Sequence, residues 1–315
     1  MKWSVNIVLT LAVSTAAAFD SDAWLRKRED MAREANRLKA LYADCATKAV
    51  EPAENVAVPI ESHPNGAIKS AVFAKKAQFF LESGLIWGEG VTVRELKADG
   101  SEFARIDAEN CIVERDTKSG WAQGRVKAVY GGTVLEGEGV YLSFAKEFVA
   151  ISDKAKIVSS EFDVNSSRDK KKDKRSEKSK TCLLSKRADY DRGQGVIMFE
   201  DGVYLDHPEY KFASDQLFAF LQGTNELKRV VAIGNVCVTN GNNCGSCDRA
   251  TYVRSKGRIT MYAQNRGAPA RLEDAGKGAE RNRLEGDKIT FWIDSEQVEV
   301  ENSRITVDAG GKLKL

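Results

Sequence analysis

Side chains able to do acid–base, nucleophilic or metal chemistry are few in this chain, and they are scattered. Histidine occurs twice, as His63 among prolines and as His207 beside Pro208 in a turn, so a serine or cysteine triad has few candidates for its base. Of the six cysteines (Cys45, Cys111, Cys182, Cys237, Cys244 and Cys247), only Cys244-Gly-Ser-Cys247 forms a close pair. Alone it supplies two of the four ligands of a structural zinc site. It is expected in a loop between strands, Asn240 to Asp248, whereas a thioredoxin-like redox pair opens a helix. It reads as a small disulfide between Cys244 and Cys247 or as free thiols, without a catalytic role. Asp201, Asp206 and Asp215 could form a carboxylate pair, but they fall at turn and strand-end positions where solvated aspartates are the rule. No glycine loop suited to phosphate and no metal-ligand spacing occurs. The expectation is a non-enzymatic protein with no catalytic residue, no cofactor and no metal.

The elements that would position any site begin after residue 18. The first twenty residues, MKWSVNIVLTLAVSTAAAFD, combine one basic residue, an apolar run from Val5 to Val13 and small residues at Ala16-Ala17-Ala18. This is the pattern of a signal peptide over 1–18, and its apolar run falls short of the roughly 20 residues that cross a bilayer. The mature chain is expected to start at Phe19 and to be exported, with an uncleaved inner-membrane anchor as the alternative. An even number of cysteines in such a compartment permits disulfides without fixing their pairing. With 42% hydrophobic and 30% charged residues over 315 positions, there is material for real cores. The net charge of +2 gives no global reason to expect nucleic acid as a partner.

Over 19–50, Trp24, Met31, Ala35, Leu38, Tyr42 and Cys45 recur at spacings of three, four or seven among charged residues. That periodicity predicts an amphipathic helix with a narrow apolar stripe, packed on the protein's own β-structure or else docked on a partner. Residues 51–66, with Pro52, Pro59 and Pro64, read as a linker. From 67 to 165, short alternating segments separated by glycines and charged turns predict an all-β unit. Ser166 to Lys180, SSRDKKKDKRSEKSK, has almost nothing apolar to bury and reads as a flexible basic spacer. It lacks the aromatics that stack on bases. The β-pattern resumes over 181–315, where Asp201-Gly202 and Gly234-Asn235 are expected as tight turns.

Two stretches are near-copies. Leu135 to Val158, LEGEGVYLSFAKEFVAISDKAKIV, and Leu284 to Val307, LEGDKITFWIDSEQVEVENSRITV, both read as strand, turn, strand with one apolar face. Together with Ala188-Asp-Tyr-Asp-Arg-Gly, Phe199-Glu-Asp-Gly-Val-Tyr-Leu205, Ala213-Ser-Asp215 and Ala232-Ile-Gly-Asn-Val236, the second hairpin resembles the OstA-like lipopolysaccharide-transport family, which comprises LptA, LptC and the periplasmic part of LptD. The likeness covers residues 182–307 in order, and the first β-region resembles a more diverged, LptC-like copy. Two joined units and a basic spacer depart from the family's usual single unit.

The resemblance implies two open β-jelly-rolls of twisted antiparallel sheet, each with an apolar interior that holds acyl chains of lipopolysaccharide or a related glycolipid. It implies a periplasmic location, and contact with other envelope components or with further copies through strand edges. The faces expected to line the interior are Val140, Leu142, Phe144, Val149 and Ile151 in the first unit. In the second they are Val203, Leu205, Val231, Ile233, Ile289, Phe291, Ile293, Val298 and Val300. The reading from a different class is a β-repeat envelope scaffold that binds no lipid.

Overall fold

A computed structural model describes residues 20–48, 51–130, 133–159, 180–222 apart from 209, 226–263 apart from 242, 268–275, and 281–307 apart from 294 and 296. The signal-peptide and basic-spacer expectations lie outside these residues. Among the described residues the chain is β-structure after one α-helix, α1 (Ser21–Lys48), with a single 3-10 turn at Arg254–Lys256. Asp20 caps that helix, its carboxylate accepting from the backbone N–H groups of Asp22 (3.1 Å) and Ala23 (2.9 Å). No helix among the described residues is long and apolar enough to cross a membrane.

The first seven strands are β1 (Ala53–Ser62), β2 (Ile68–Phe80), β3 (Leu85–Leu96), β4 (Glu102–Glu114), β5 (Ser119–Tyr130), β6 (Thr133–Ser143) and β7 (Phe148–Ser159). Shorter pieces follow: β8 (Thr181–Ser185), β9 (Arg187–Asp191), β10 (Val196–Glu200), β11 (Val203–Asp206), β12 (Lys211–Ser214) and β13 (Gln216–Gln222). Then come β14 (Glu226–Asn240), β15 (Asn243–Val253), β16 (Arg258–Tyr262), β17 (Ala270–Ala275), β18 (Arg281–Gly286), β19 (Lys288–Trp292), β20 (Val298–Glu301) and β21 (Arg304–Val307). Every pairing among the described residues is antiparallel, and from β1 to β7 each strand pairs with the next. The short pieces are halves of bent strands. For example, β8 and β9 run in line along β7, which pairs with both.

The bends share one line across the sheet, where backbones adopt the left-handed conformation. Asn55, Gly90, Gly124, Lys154, Gly202, Gly234, Asn235 and Asn302 all have φ between +48° and +85°. Along this seam the sheet folds over, so that two half-sheets face each other. Side-chain clamps hold the crease: Asn235 Nδ2 donates to both carboxylate oxygens of Asp215 (3.0 and 2.9 Å), and Asn302 Nδ2 donates to Asp287 (2.7 Å). The Gly234-Asn235 pair, expected as a hairpin turn, therefore lies inside β14. Its positive φ serves a mid-strand crease. At Gly234 (φ +77°) a Cβ would overlap the Asp215 carboxylate, so both conformation and space demand glycine.

The near-copies share a second glycine requirement. Gly137 and Gly286 occupy the same place in LEG, and a Cβ there would overlap Ile151 in the first copy and Val300 in the second. These two residues also occupy matching places in the repeat. Each return strand lays a branched side chain over the bare Cα of its partner, which brings the backbones of that hairpin into close contact.

Four expectations are corrected. Residues 53–62 of the presumed linker form β1, which among the described residues pairs only with β2; its register slips beside Pro59, as suits a proline confined to an edge strand. Cys244 and Cys247 lie in β15 rather than in a loop, and all six thiols are free. Three residues apart on a strand, these two point to opposite faces across roughly 10 Å, beyond disulfide reach. The turns at Asp201-Gly202 and Gly234-Asn235 are creases. The two β-regions are not separately cored: β7 pairs with β8 and β9, and one buried cluster joins Val126, Val140 and Ile151 to Leu183, Phe199 and Leu217. Once the chain is cut within Ser166–Lys180, the two fragments are expected to stay together through gel filtration in native buffer and to separate in urea. Fragments that part at once in native buffer would show that the shared sheet and core contribute little.

Candidate functional site

Each half-sheet has an inner face, turned toward the other half, and an outer one. The inner faces carry the central cluster, to which β5 to β15 contribute, and this continues through Phe212 and Ile259 into a second cluster at Met261, Ala270 and Ile289. At the opposite end, Ala74, Ala77 and Val91 form a small cluster with Val56, Val72 and Val93. Burial falls away toward this end. Ile151 and Phe199 are 2% and 0% exposed in the centre, whereas Val58, Ile68 and Phe79 on β1 and β2 are 38–45% exposed. Register carries the inner face from Phe79 to Ile86, Val113, Gly120, Leu142 and Val149 in turn. The roll thus has a packed middle and an apolar end, its mouth, where inner side chains of β1 and β2 are part-exposed. Alanines on β2 and glycines at 88 and 120 leave the bordering strands short of bulk there.

The helix covers the outer face of one half. Its Met31, Ala35, Leu38 and Cys45 pack on Leu85, Ile112, Trp121, Tyr141 and Phe148, one residue from each of β3 to β7. At its other end Trp24 packs with Val196, Met198, Phe218 and Val231 of β10, β13 and β14. Twenty-eight residues at about 1.5 Å each give about 42 Å, enough to cross some nine strands at about 4.8 Å spacing. The helix is a strap across both β-regions.

Charge fixes the strap near its N-terminal end. Lys27 Nζ lies 2.8 Å from the fully buried Asp191 carboxylate, and Arg28 pairs with both Asp189 and Glu200. Burial pushes the Asp189 carboxyl above the usual range, against the opposing pull of Arg28. Burial lowers the Arg28 guanidinium, but Asp189 and Glu200 outweigh it and hold the group above its usual value. Toward the other end Arg37 bonds Glu114 through two nitrogens, at 3.0 and 2.6 Å.

The residues expected to line an interior divide in three. Val140, Ile151, Val203 and Ile289 are buried on the inner faces; Val149, Leu205, Ile293, Val298 and Val300 pack partly against the same clusters. Leu142 and Phe291 share that side by register and are half-buried. Val231 and Ile233 lie on the opposite face against Trp24, because Val230 and Ala232 are the residues of β14 that turn inward. Phe144 follows the end of β6 in a turn and is 53% exposed. Sequence reasoning missed the mouth altogether, since β1 was read as linker; the alternation of Val56 and Val58 was its available signal.

Residues weighed for chemistry have structural surroundings. His63 Nε2 lies 3.0 Å from the Leu96 carbonyl, and His207 is buried and stacked on Tyr210. Asp215 serves as a crease clamp, away from a carboxylate pair. Burial pushes the thiols of Cys111 and Cys247 up to about 12, which leaves little thiolate at neutral pH.

No known family model and no curated protein matches this chain. Among solved structures, the crystal structure of LptH from Pseudomonas aeruginosa, described as the LptA-homologous periplasmic component of the lipopolysaccharide transport device, is similar over 41% of this chain and 94% of that one. The identity is 13% and the TM-score 0.35.

The gradient of burial sets an expectation for stability. Ile151→Ala, in the packed centre, should lower unfolding free energy by about 2–5 kcal/mol. Ile68→Ser, at the mouth, should change it by about 0.5 kcal/mol or less. Urea midpoints measure both, and equal losses would mean that the mouth is packed like the middle.

Proposed function

We propose that this protein binds acyl chains of an amphiphilic glycolipid, of the lipopolysaccharide class, between its two inner half-sheets, and that it acts as a carrier without catalysing a reaction. One observation carries this reading: an apolar inner face, continuous with the core, stays part-exposed to solvent at β1 and β2. A packing core has no reason to leave Val58, Ile68 and Phe79 in water on one connected face. Each methylene withdrawn from water contributes about 0.8 kcal/mol, so chains of a dozen carbons need such cover between membranes. The carrier need only match the apolarity of the donor bilayer, and an exported, periplasmic location fits that task. The OstA-like motifs agree with this reading, because Asp215, Gly234, Asn235 and Asp287 make the crease that gives the sheet an inside.

Phe79 and Phe73 make a controlled pair on β2. They are exposed to nearly the same extent, 39% and 38%, but Phe79 faces inward while Phe73 faces outward, where Arg94 stacks on it at 5.0 Å. A photo-crosslinking residue at position 79 is expected to capture glycolipid when the protein is purified from its native envelope, and one at 73 is not. Capture at Leu142 and Phe291 but not at Thr290 should follow the same rule. Equal capture at 73 and 79 in folded protein, or none at any inward position, would replace the carrier with a lipid-free scaffold.

A further inference from the structure

The outer face of β14 to β16, beyond the Trp24 end of the helix, carries three arginines that neither the strap nor the interior uses. Register places Arg229 and Arg258 in one row, on either side of Val253, and Arg249 two rows along beside Tyr262. Thr251 and Thr260 fill the row between. All three arginines are half-buried. Arg229 stacks over Phe220 at 4.1 Å and Arg249 over Tyr262 at 5.9 Å. Nε of Arg249 and Nε of Arg258 are buried without a hydrogen-bond partner. Among the described residues no carboxylate lies within ion-pair distance of any of the three.

The strands that adjoin the patch are arranged differently. On β17 and β18 Arg271 meets Glu285 at 2.8 Å and Arg283 meets Glu273 at 3.6 Å; next to the patch, Lys288 is paired with Glu301. These three neighbouring cations are matched by glutamates, and the arginines of the patch are not. Burial, and then the charge of Arg249, pull the Arg229 guanidinium below its usual value, so the two cations repel. Half-buried charge without a counter-charge costs free energy, and a bound anion removes that cost.

We infer that Arg229, Arg249 and Arg258 form an anion site for a phosphate group, carried by a soluble phosphate compound or by the headgroup of an anionic lipid. Guanidinium forks match the tetrahedral oxygens of phosphate, and the intervening Thr251 adds a hydroxyl donor. The inference does not depend on the lipid-carrier reading, since this face is turned away from the interior.

The test uses the full chain. Inorganic phosphate is titrated against chloride at matched ionic strength, with thermal melting as a second readout, and flotation compares vesicles of phosphatidylglycerol with vesicles of phosphatidylcholine. Arg229→Gln, Arg249→Gln and Arg258→Gln should each weaken phosphate binding by about tenfold, the weight of a charge-assisted hydrogen bond. In chloride the Arg249→Gln protein should melt no lower than wild type, because a repulsion has been removed. Arg249→Lys should keep part of the affinity, and Arg283→Gln, from a paired arginine, should leave it intact. Binding of phosphate alone assigns a soluble compound; binding that needs phosphatidylglycerol vesicles assigns a headgroup. Failure of wild type to bind either, or unchanged binding in all three glutamine variants, overturns the inference. So does a lower melting temperature for Arg249→Gln in chloride with an intact phosphate response.

Discussion

Everything in this molecule depends on a crease. A long antiparallel meander has two faces, and burying one of them requires each strand to bend at the same level. Left-handed residues supply the bend along one line, and Asp215–Asn235 and Asp287–Asn302 hold it with amide-to-carboxylate hydrogen bonds. Without the crease the half-sheets would not face one another and there would be no inside. The crease also explains why strands that read as separate short segments belong to longer bent ones.

Creasing buries the inner faces but leaves the outer ones wet, and on one half the outer face is too apolar for water. Trp121, Tyr141, Phe148, Met198 and Phe218 would be exposed there but for α1. The helix therefore solves a problem that the sheet creates, and because it crosses both β-regions it also ties them together. Its cations meet Asp189, Asp191, Glu200 and Glu114, so the position of the strap on the sheet is set by charge as well as by apolar packing. The salt bridges to buried carboxylates are costly to break one partner at a time, which makes them better suited to fixing position than to adding stability.

The interior and the arginine patch illustrate opposite uses of an incomplete environment. At β1 and β2 apolar side chains lack the neighbours that would exclude water, and at β14–β16 guanidiniums lack the carboxylates found on adjoining strands. In both places the surrounding sheet shows what completion looks like, which is the reason to treat the gap as a site.

The all-β class, the helix with its stripe of Trp24, Met31, Ala35, Leu38 and Cys45, and the paired hairpins with their inward Val140, Ile151 and Ile289 can be read from the amino-acid order. These were legible because each rests on a local period, two for strands and 3.6 for the helix. The packing of distant elements set which side of β14 faces inward. Val230, Val231, Ala232 and Ile233 are apolar in succession because the core takes one face and Trp24's cluster takes the other, so alternation carried no sign there. It also decided that Gly234-Asn235 creases a strand rather than turning a hairpin, since a positive φ is the same local fact in either setting. The union of the two β-regions was illegible for a related reason. The pairing of β7 with β8 and β9 is contact between residues far apart in sequence, and no local period records which distant strand a backbone edge will meet.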